Sequence, residues 1–374
     1  MNTIPRYIYI DDEEKEAIQS IINGLNDTKH IDVTYFPISH HKTFESLVSE
    51  IKKEFENGCD GVLLDLCLNG GGINSLQFSA STVAQYLRSS ASSKILPDFP
   101  IVLCSTDEKL RNSYIADTAS HDLYDYKFVK GSGIIWDTVA LRMQSLSQGY
   151  QCINNRNIYE ILNLTESQFE KIDQHIFDRF RFNEVWTSYD LAHFILNDLF
   201  AYSGALISEE IVASRFGIDI QYSKEEWIKL IDIINAQAKY NGVFADGWIY
   251  YWADEINSFF KSISMGKSWT SFNARDRVKI INSKYSLNLI DANPIEFATS
   301  SYFDTVCEGT KRPLDSMEGF EIYESADLKP WQEPKYVSVY ALCSGKYPNI
   351  RIKNSEKKRF EEIKACLRNE TKGN

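Results

Sequence analysis

Short apolar runs alternate with longer helical stripes through the first 150 residues, and this alternation constrains the fold more than any other feature of the chain. Each run has the length of a strand, and between the runs apolar residues recur every three or four positions, as on one face of a helix. The five runs are Tyr7–Ile10, Ile31–Phe36, Gly61–Leu66, Pro100–Cys104 and Tyr126–Val129. Because parallel strands need helical crossovers, the pattern predicts a parallel sheet with helices on both faces.

The third run identifies the centre of this sheet. Val62-Leu63-Leu64 lacks the polar alternation of a strand with one solvated face, so we expect this strand to be buried on both sides. Five strands and at least four helices within about 145 residues make a flavodoxin-like count. The sequence therefore predicts an α/β domain over residues 1–148, with a doubly wound, five-stranded parallel sheet.

The pattern changes in the second half of the chain, where long helical stripes replace the alternation. Two segments match the capping box that satisfies free backbone N–H groups at a helix start, Thr165-x-x-Gln168 and Ser223-x-x-Glu226. A further apolar stripe predicts a helix over Trp248–Ile263. Residues 149–374 are therefore predicted to form a mainly α-helical domain, and a further division near 270–290 stays open.

Charge and composition exclude several classes of protein. The net charge is −12, which disfavours a nucleic-acid binder because phosphate neutralisation supplies much of that affinity. No apolar run reaches the roughly 18 residues of a membrane-spanning helix, and the N-terminus lacks the pattern of a signal peptide. The seven cysteines are scattered without a metal-binding spacing, as in a reducing compartment. We therefore expect a cytoplasmic protein that binds neither membranes nor nucleic acids.

Three carboxylates stand at the ends of predicted strands. Asp11 and Asp12 follow the first run, and Asp65 ends the third. The carboxyl ends of parallel strands share one edge of the sheet, where ligands bind in open α/β folds. Carboxylates that converge there repel one another unless a cation lies between them, and Mg²⁺ suits a few carboxylate oxygens together with a phosphate-type ligand. The sequence therefore predicts a magnesium site at this edge.

The two remaining strand ends carry groups that can bind a phosphoryl oxygen. Ser105 and Thr106 follow the fourth run and offer hydroxyl donors, and Lys130 follows the fifth run and offers a positive charge. Together with the three acids, these residues form a set typical of phosphoryl transfer: a metal site, an acceptor and donors for the phosphoryl oxygens.

At these strand ends the sequence resembles the receiver domain of two-component response regulators. The similar segments are Tyr7–Glu13, Gly61–Leu66, Pro100–Thr106 and Tyr126–Lys130. The resemblance covers residues 1–148, which is less than half of the chain. It implies that Asp11 and Asp12 hold Mg²⁺ together with Asp65, and that Asp65 is the phosphoacceptor.

The resemblance also implies roles for the donor groups. Ser105, with Thr106 beside it, corresponds to the switch residue that contacts a phosphoryl oxygen, and Lys130 corresponds to the lysine that pairs with the phosphoryl group or with Asp65. The chain departs from the family at Gly131, which follows Lys130 where a proline is common. Two versions therefore stay open: a phosphorylated receiver, and a degenerate receiver that serves only for docking.

The leading hypothesis is a signalling protein whose receiver-like domain is coupled to a helical output domain that binds a protein partner. The expected partner is a histidine kinase-type ATPase or a neighbouring effector, and an analogy with bacterial antiviral defence systems belongs to this hypothesis. In this hypothesis the chain is not an enzyme with turnover. Two alternatives stay open: an Mg²⁺-dependent phosphohydrolase, and a purely structural interaction subunit in which Asp65 is inert.

Each candidate residue also has a plainer explanation. Asp12 stands beside further acids, as at a helix N-terminus, while Lys130 suits a solvated surface and Ser105 and Thr106 suit a turn. Asp65 is harder to explain in this way, because a charge beside a buried strand needs a compensating partner.

Three other features are interpreted without a specific chemical role. The His40-His41 pair and the Gly70–Gly72 run are predicted to lie in loops. The basic stretch at residues 345–374 carries nine Lys and Arg residues against four Glu, and its first interpretation is a solvated helix end.

Overall fold

The structure is a computed structural model, and it describes residues 4–38, 43–68, 79–106, 122–131, 133–154, 156–180, 186–323 and 328–370. The first part of the chain forms a five-stranded sheet. Its strands are β1 (Arg6–Asp11), β2 (Asp32–Pro37), β3 (Gly61–Asp65), β4 (Ile101–Thr106) and β5 (Tyr126–Lys130). All of them are parallel, in the order β2-β1-β3-β4-β5, which confirms the predicted parallel sheet.

Within the described residues, four helices accompany this sheet, at the positions of the apolar stripes. They are α1 (Lys15–Asn26), α2 (Phe44–Glu56), α3 (Ala80–Ser92) and α4 (Trp136–Ile153). The hydroxyls of Thr43 and Ser79 cap α2 and α3 by accepting hydrogen bonds from backbone N–H groups of the first turn. The predicted loops at His40-His41 and Gly70–Gly72 lie outside the described residues.

Helices lie on both faces of the sheet. On one face, alternate residues of β1, β3 and β4 share a buried apolar core with α2 and α3. On the other face, the buried phenol of Tyr7 donates a hydrogen bond to the Met143 carbonyl of α4. The Trp136 ring of α4 packs against Gly24 of α1, where a Cβ atom would come within 2.5 Å of the indole. The strand β3 is buried at every position, as its uninterrupted apolar sequence predicts.

The second part of the chain is mainly helical, with short strand pairs. Its helices are α5 (Ile158–Leu162), α6 (Glu166–Lys171), α7 (Ser188–His193), α8 (Glu209–Phe216), α9 (Ile220–Ala238), α10 (Ala253–Ile263), α11 (Ala274–Tyr285), α12 (Val339–Cys343) and α13 (Lys357–Glu370). Its strands are β6 (Leu206–Ser208), β7 (Tyr250–Trp252), β8 (Thr305–Val306), β9 (Pro313–Leu314), β10 (Phe320–Glu321) and β11 (Tyr336–Val337). One buried core joins α8 to α11, and a second core joins β8 to β11 with α12 and α13.

The chain divides into two compact units that each take several segments of the sequence. The α/β unit consists of Met1–Asn163, Asn183–Leu196 and Asn241–Trp248. The helical unit consists of Leu164–Phe182, Asn197–Tyr240 and Ile249–Asn374. Within the α/β unit, the Ser188 N–H of α7 donates a hydrogen bond to Asp98, and the Val243 N–H donates to the Ile161 carbonyl. The boundary between residues 148 and 149 stays a prediction.

One predicted capping box is present and the other is not. The Thr165 hydroxyl accepts from the Gln168 N–H, and the Gln168 side chain accepts from the Thr165 N–H, which confirms the first. The second was wrong: α9 is interrupted by non-helical backbone at Lys224 (φ +37°, ψ −106°), and the Glu226 side chain accepts a hydrogen bond from the distant Asn288 N–H. The Ser223 hydroxyl instead accepts a hydrogen bond from the Ile290 N–H, a partner distant in sequence.

The helix predicted over Trp248–Ile263 begins only at Ala253. The preceding residues Tyr250–Trp252 form β7, which pairs with β6 in an antiparallel ladder. Aromatic residues fit a strand as well as a helix face, and the pairing with a distant strand decided between the two.

Candidate functional site

The predicted site residues meet at one edge of the sheet. Asp11 ends β1 and Asp65 ends β3, while Lys130 ends β5. Asp12 follows directly after β1. Because the strands are parallel, these ends lie at the same edge, as the sequence predicts.

The three carboxylates form a compact, buried cluster. Asp11, Asp12 and Asp65 are 0%, 9% and 2% exposed. Each offers a carboxylate oxygen that lies within 4.8 Å of the other two. Burying one carboxylate is costly without a partner, and burying three together adds mutual repulsion. The arrangement therefore requires positive charge close by.

Lys130 supplies part of that charge. Its Nζ atom lies 2.8 Å from Asp11 Oδ2, where it donates a hydrogen bond, and 2.7 Å from Asp65 Oδ1. The second contact is an ion pair without hydrogen-bond geometry, so Asp65 Oδ1 has no hydrogen-bond partner among the described residues. Among the described residues, this ammonium contacts two of the three carboxylates.

Backbone groups fix the orientation of two of the carboxylates. The Glu13 N–H donates to Asp11 Oδ1 at 3.0 Å, and the Cys67 N–H donates to Asp65 Oδ2 at 2.8 Å. Both bonds span two residues, as in the turns that Asp side chains make with their own backbone. The turns that leave β1 and β3 therefore hold these side chains at the sheet edge.

The environment shifts the pKa values of the two paired carboxylates in opposite directions. Burial favours the neutral form of Asp11, but the charge and hydrogen bond of Lys130, with smaller contributions from other donors, hold its pKa below the usual range. Burial raises the pKa of Asp65, and the charge of Asp11 adds to this, while Lys130 offsets it only in part. The two carboxylates therefore differ in their tendency to hold a proton, which is greater at Asp65 than at Asp11.

The pKa of Lys130 is raised, although burial alone would lower it. Burial lowers its pKa, but the charges of Asp65 and Asp11 outweigh this and raise the pKa above its usual value. Lys130 is therefore a fixed positive charge, as the sequence predicts.

Tyr9 is a residue of this site that the sequence analysis missed. It is fully buried, and its hydroxyl donates a hydrogen bond to Asp11 Oδ2 at 2.7 Å. Lys130 Nζ lies 5.5 Å from the centre of the Tyr9 ring. Cys104, which pairs with Asp65 in the sheet, is also completely buried. The spacing of two between Tyr9 and Asp11 was the available signal, since such residues share one face of a strand.

The two predicted hydroxyl donors differ in their surroundings. Ser105 is completely buried, and its Oγ atom has no hydrogen-bond partner among the described residues. Thr106 is exposed. Thr106 pairs with Lys130 in the sheet and Ser105 pairs with Val129, so strand alternation places Thr106 on the sheet face of Lys130 and Ser105 on the other face.

Comparisons with known proteins add no family to this description. The chain matches no protein-family model and no curated protein. The described part of the chain contains no helix that is long and apolar enough to cross a membrane.

Proposed function

We propose that the α/β unit is a flavodoxin-like, receiver-type phosphoryl acceptor that binds Mg²⁺ at the acidic sheet edge and is modified on Asp65. One observation carries the proposal: three buried carboxylates from the ends of two neighbouring parallel strands each offer an oxygen that lies within 4.8 Å of the other two. Such convergence of buried acids is costly unless a cation lies between them, which favours a metal site over a purely structural role.

The residues fit a magnesium ion. Asp11, Asp12 and Asp65 provide hard oxygen ligands, and their nearest carboxylate oxygens lie within 4.8 Å of one another. When bound, the ion supplies positive charge next to the oxygens of a phosphoryl group. The three carboxylates lie at the carboxyl ends of the strands, which is where ligands such as a phosphoryl group bind in open α/β sheets.

The proposed chemistry is the transfer of one phosphoryl group to Asp65. An oxygen of the Asp65 carboxylate forms a bond to phosphorus, the bond between phosphorus and the donor's oxygen breaks, and that oxygen leaves with the electron pair. The ammonium of Lys130, 2.7 Å from Asp65, stays close to the new phosphoryl oxygens and offsets their charge. Of the two predicted hydroxyl donors, Thr106 lies on the sheet face of Lys130 and Asp65, so its hydroxyl is the one proposed to donate a hydrogen bond to the phosphoryl group.

The proposal extends to the helical unit, which is the output part that binds a protein partner. Its support is indirect: the helical unit has its own apolar cores and none of the residues of the acidic edge. The expected partner remains a kinase-type ATPase or an effector protein.

The experiment is covalent modification of the full-length chain. The protein is incubated with Mg²⁺ and acetyl phosphate, and its intact mass is measured together with the mass of each variant. We expect a single phosphoryl adduct in the wild type and none in Asp65→Asn. Asp60→Asn is the matched control, because Asp60 stands at the opposite end of β3 and accepts a hydrogen bond from the Arg6 N–H.

Each other result has a distinct meaning. An adduct that persists in Asp65→Asn places the modification elsewhere and overturns the assignment of the acceptor. Binding of Mg²⁺ without any adduct contradicts phosphorylation and favours the docking version. Continuous release of inorganic phosphate, lost in Asp65→Asn, favours the Mg²⁺-dependent phosphohydrolase.

A further inference from the structure

We infer that Tyr9 is a positioning residue for the metal site and acts through Asp11. The inference rests on the proposed binding of Mg²⁺ at the acidic sheet edge, and it concerns how one ligand of that site is oriented. Tyr9 itself is buried beneath the edge and does not contact the cation.

The hydrogen bonds of Asp11 are divided unequally between its two oxygens. Oδ2 accepts from the Tyr9 hydroxyl at 2.7 Å and from Lys130 Nζ at 2.8 Å. Among the described residues, the Glu13 N–H is the donor to Oδ1, at 3.0 Å. Since each carboxylate oxygen has two lone pairs, Oδ2 is fully used and Oδ1 keeps one lone pair. Oδ1 is therefore the oxygen that can bind a cation.

Tyr9 strengthens this division. The Glu13 N–H orients Asp11 from the side of Oδ1, and without Tyr9 the side of Oδ2 would be held by the ammonium of the long Lys130 side chain. The second donor, fixed in the core of the sheet, holds Oδ2 in one position and leaves Oδ1 directed away from it. Hydrogen bonds of this kind to a metal ligand fix its orientation and support its affinity for the metal.

A second tyrosine on the same strand shows that burial of the ring does not require this arrangement. Tyr7 is also 0% exposed, and its phenol donates to the Met143 carbonyl and accepts from the Ser147 hydroxyl. Its hydroxyl is therefore satisfied by groups of α4, at the end of β1 away from the acids. Tyr9 and Tyr7 share strand, face and burial, and they differ in that only Tyr9 bonds to a carboxylate of the site.

The test is Mg²⁺ binding by isothermal titration calorimetry on the full-length wild type, Tyr9→Phe and Tyr7→Phe, with magnesium chloride alone as the ligand. We expect Tyr9→Phe to raise the Kd for Mg²⁺ about tenfold or more. We expect Tyr7→Phe to leave the Kd unchanged, although both variants lose a buried hydrogen bond and some stability. An equal loss of affinity in both variants identifies a general structural effect and overturns the inference.

The outcomes separate this inference from the proposed function. If the wild type does not bind Mg²⁺, the proposed metal site is wrong and the inference falls with it. If the wild type binds and Tyr9→Phe binds equally well, the inference alone is wrong.

A second measurement keeps the hydroxyl in place and so does not depend on the folding of Tyr9→Phe. 3-Fluorotyrosine is incorporated at position 9 or at position 7, and the fluorine resonance is followed as magnesium chloride is added. We expect the signal at position 9 to shift with saturation and the signal at position 7 to stay constant. If the chemical shift of the fluorine at position 9 does not change at saturating magnesium chloride, the inference is overturned.

Discussion

Lys130 on β5 reaches past the end of β4 to Asp65 on β3, and the two charged groups approach to 2.7 Å. The same ammonium lies 2.8 Å from Asp11 on β1, so one buried cation holds two carboxylates at neighbouring strand ends. The side chains of Lys130, Asp65 and Asp11 are 16%, 2% and 1% exposed, so solvent screens these contacts weakly. Lys130 therefore offsets the charge of both Asp11 and Asp65.

Replacement of Lys130 by Met leaves the carboxylates without their counter-charge. We expect the free energy of unfolding in EDTA to fall by about 3 kcal/mol, as for other broken buried pairs. We expect Mg²⁺ to restore part of the loss, because the cation replaces the missing positive charge. Urea unfolding in EDTA and in Mg²⁺ measures both effects. Lys127→Met is the control on the exposed side of the same strand, and an equal loss in this variant would contradict the prediction.

Asp65→Asn should change the pH dependence of stability. Burial raises the pKa of Asp65 in the folded chain above its ordinary value of 3.8, so the folded state binds this proton more tightly than the unfolded state. Its contribution to stability is full below pH 3.8 and is lost as the pH rises through the folded pKa. Without metal, the stability of Asp65→Asn relative to wild type should therefore increase from acid to neutral pH. A difference that does not vary with pH would contradict this.

Asp11→Asn should show the opposite dependence. Despite burial, the charge of Lys130 holds the folded pKa of Asp11 below 3.8, so this residue stabilises the chain above that pH and loses its contribution as the pH falls through the folded pKa. Asp11→Asn should therefore be less stable than wild type at neutral pH, and the gap should shrink in acid. Thermal unfolding across a pH series, on both variants in EDTA, compares the two signs directly. If the stability of both variants relative to wild type followed the same pH trend, the opposite pKa shifts of Asp11 and Asp65 would be contradicted.

Arg88 of α3 should be essential to the α/β unit at the end of the sheet away from the acids. Its guanidinium lies 2.6 Å from Asp125, with side chains 8% and 1% exposed, and it also donates to the Phe99 and Leu123 carbonyls. Arg88→Met leaves Asp125 buried without its cation, and we expect a loss of about 3–5 kcal/mol. Urea unfolding measures this loss in the free energy of unfolding. The exposed pair of Lys53 and Glu50 is the control, and Lys53→Met should leave the urea midpoint unchanged.

Gly217 should tolerate no side chain. It ends α8 with φ +73°, and an added Cβ atom would lie 2.4 Å from the Ala274 Cα atom of α11. Gly266 has φ +82° with nothing within 4 Å, so Gly266→Ala carries only the backbone cost of about 1 kcal/mol. We expect Gly217→Ala to lower the melting temperature clearly more than Gly266→Ala. Equal melting temperatures of the two variants would contradict this prediction, because they would show that α11 shifts enough to accommodate the added Cβ atom.

The parallel sheet and the meeting of its acids could be predicted because both follow from local pattern. Apolar runs of strand length fixed the strands to within about two residues, and parallel topology then placed Asp11, Asp65 and Lys130 at one edge. The end of α8 could also be predicted, because Gly217 adopts the left-handed conformation that other residues avoid.

The errors arose where a distant partner decided the structure. Ser223 has the sequence of a helix cap, but its hydroxyl bonds to the backbone at Ile290. Tyr9 has the sequence of an ordinary core residue, and alternation predicts the face it lies on but not the partner of its hydroxyl. A pattern of residue types reports periodicity and burial, whereas the partners of buried polar atoms depend on the three-dimensional arrangement.

The interleaving of the two units restricts how this chain can exchange parts with other proteins. The polypeptide passes between the units five times, after residues 163, 182, 196, 240 and 248. A gene fusion at a single junction would separate the segments of at least one unit, because each unit consists of three segments that alternate along the chain. An exchange that keeps both units whole would have to preserve all five junctions together.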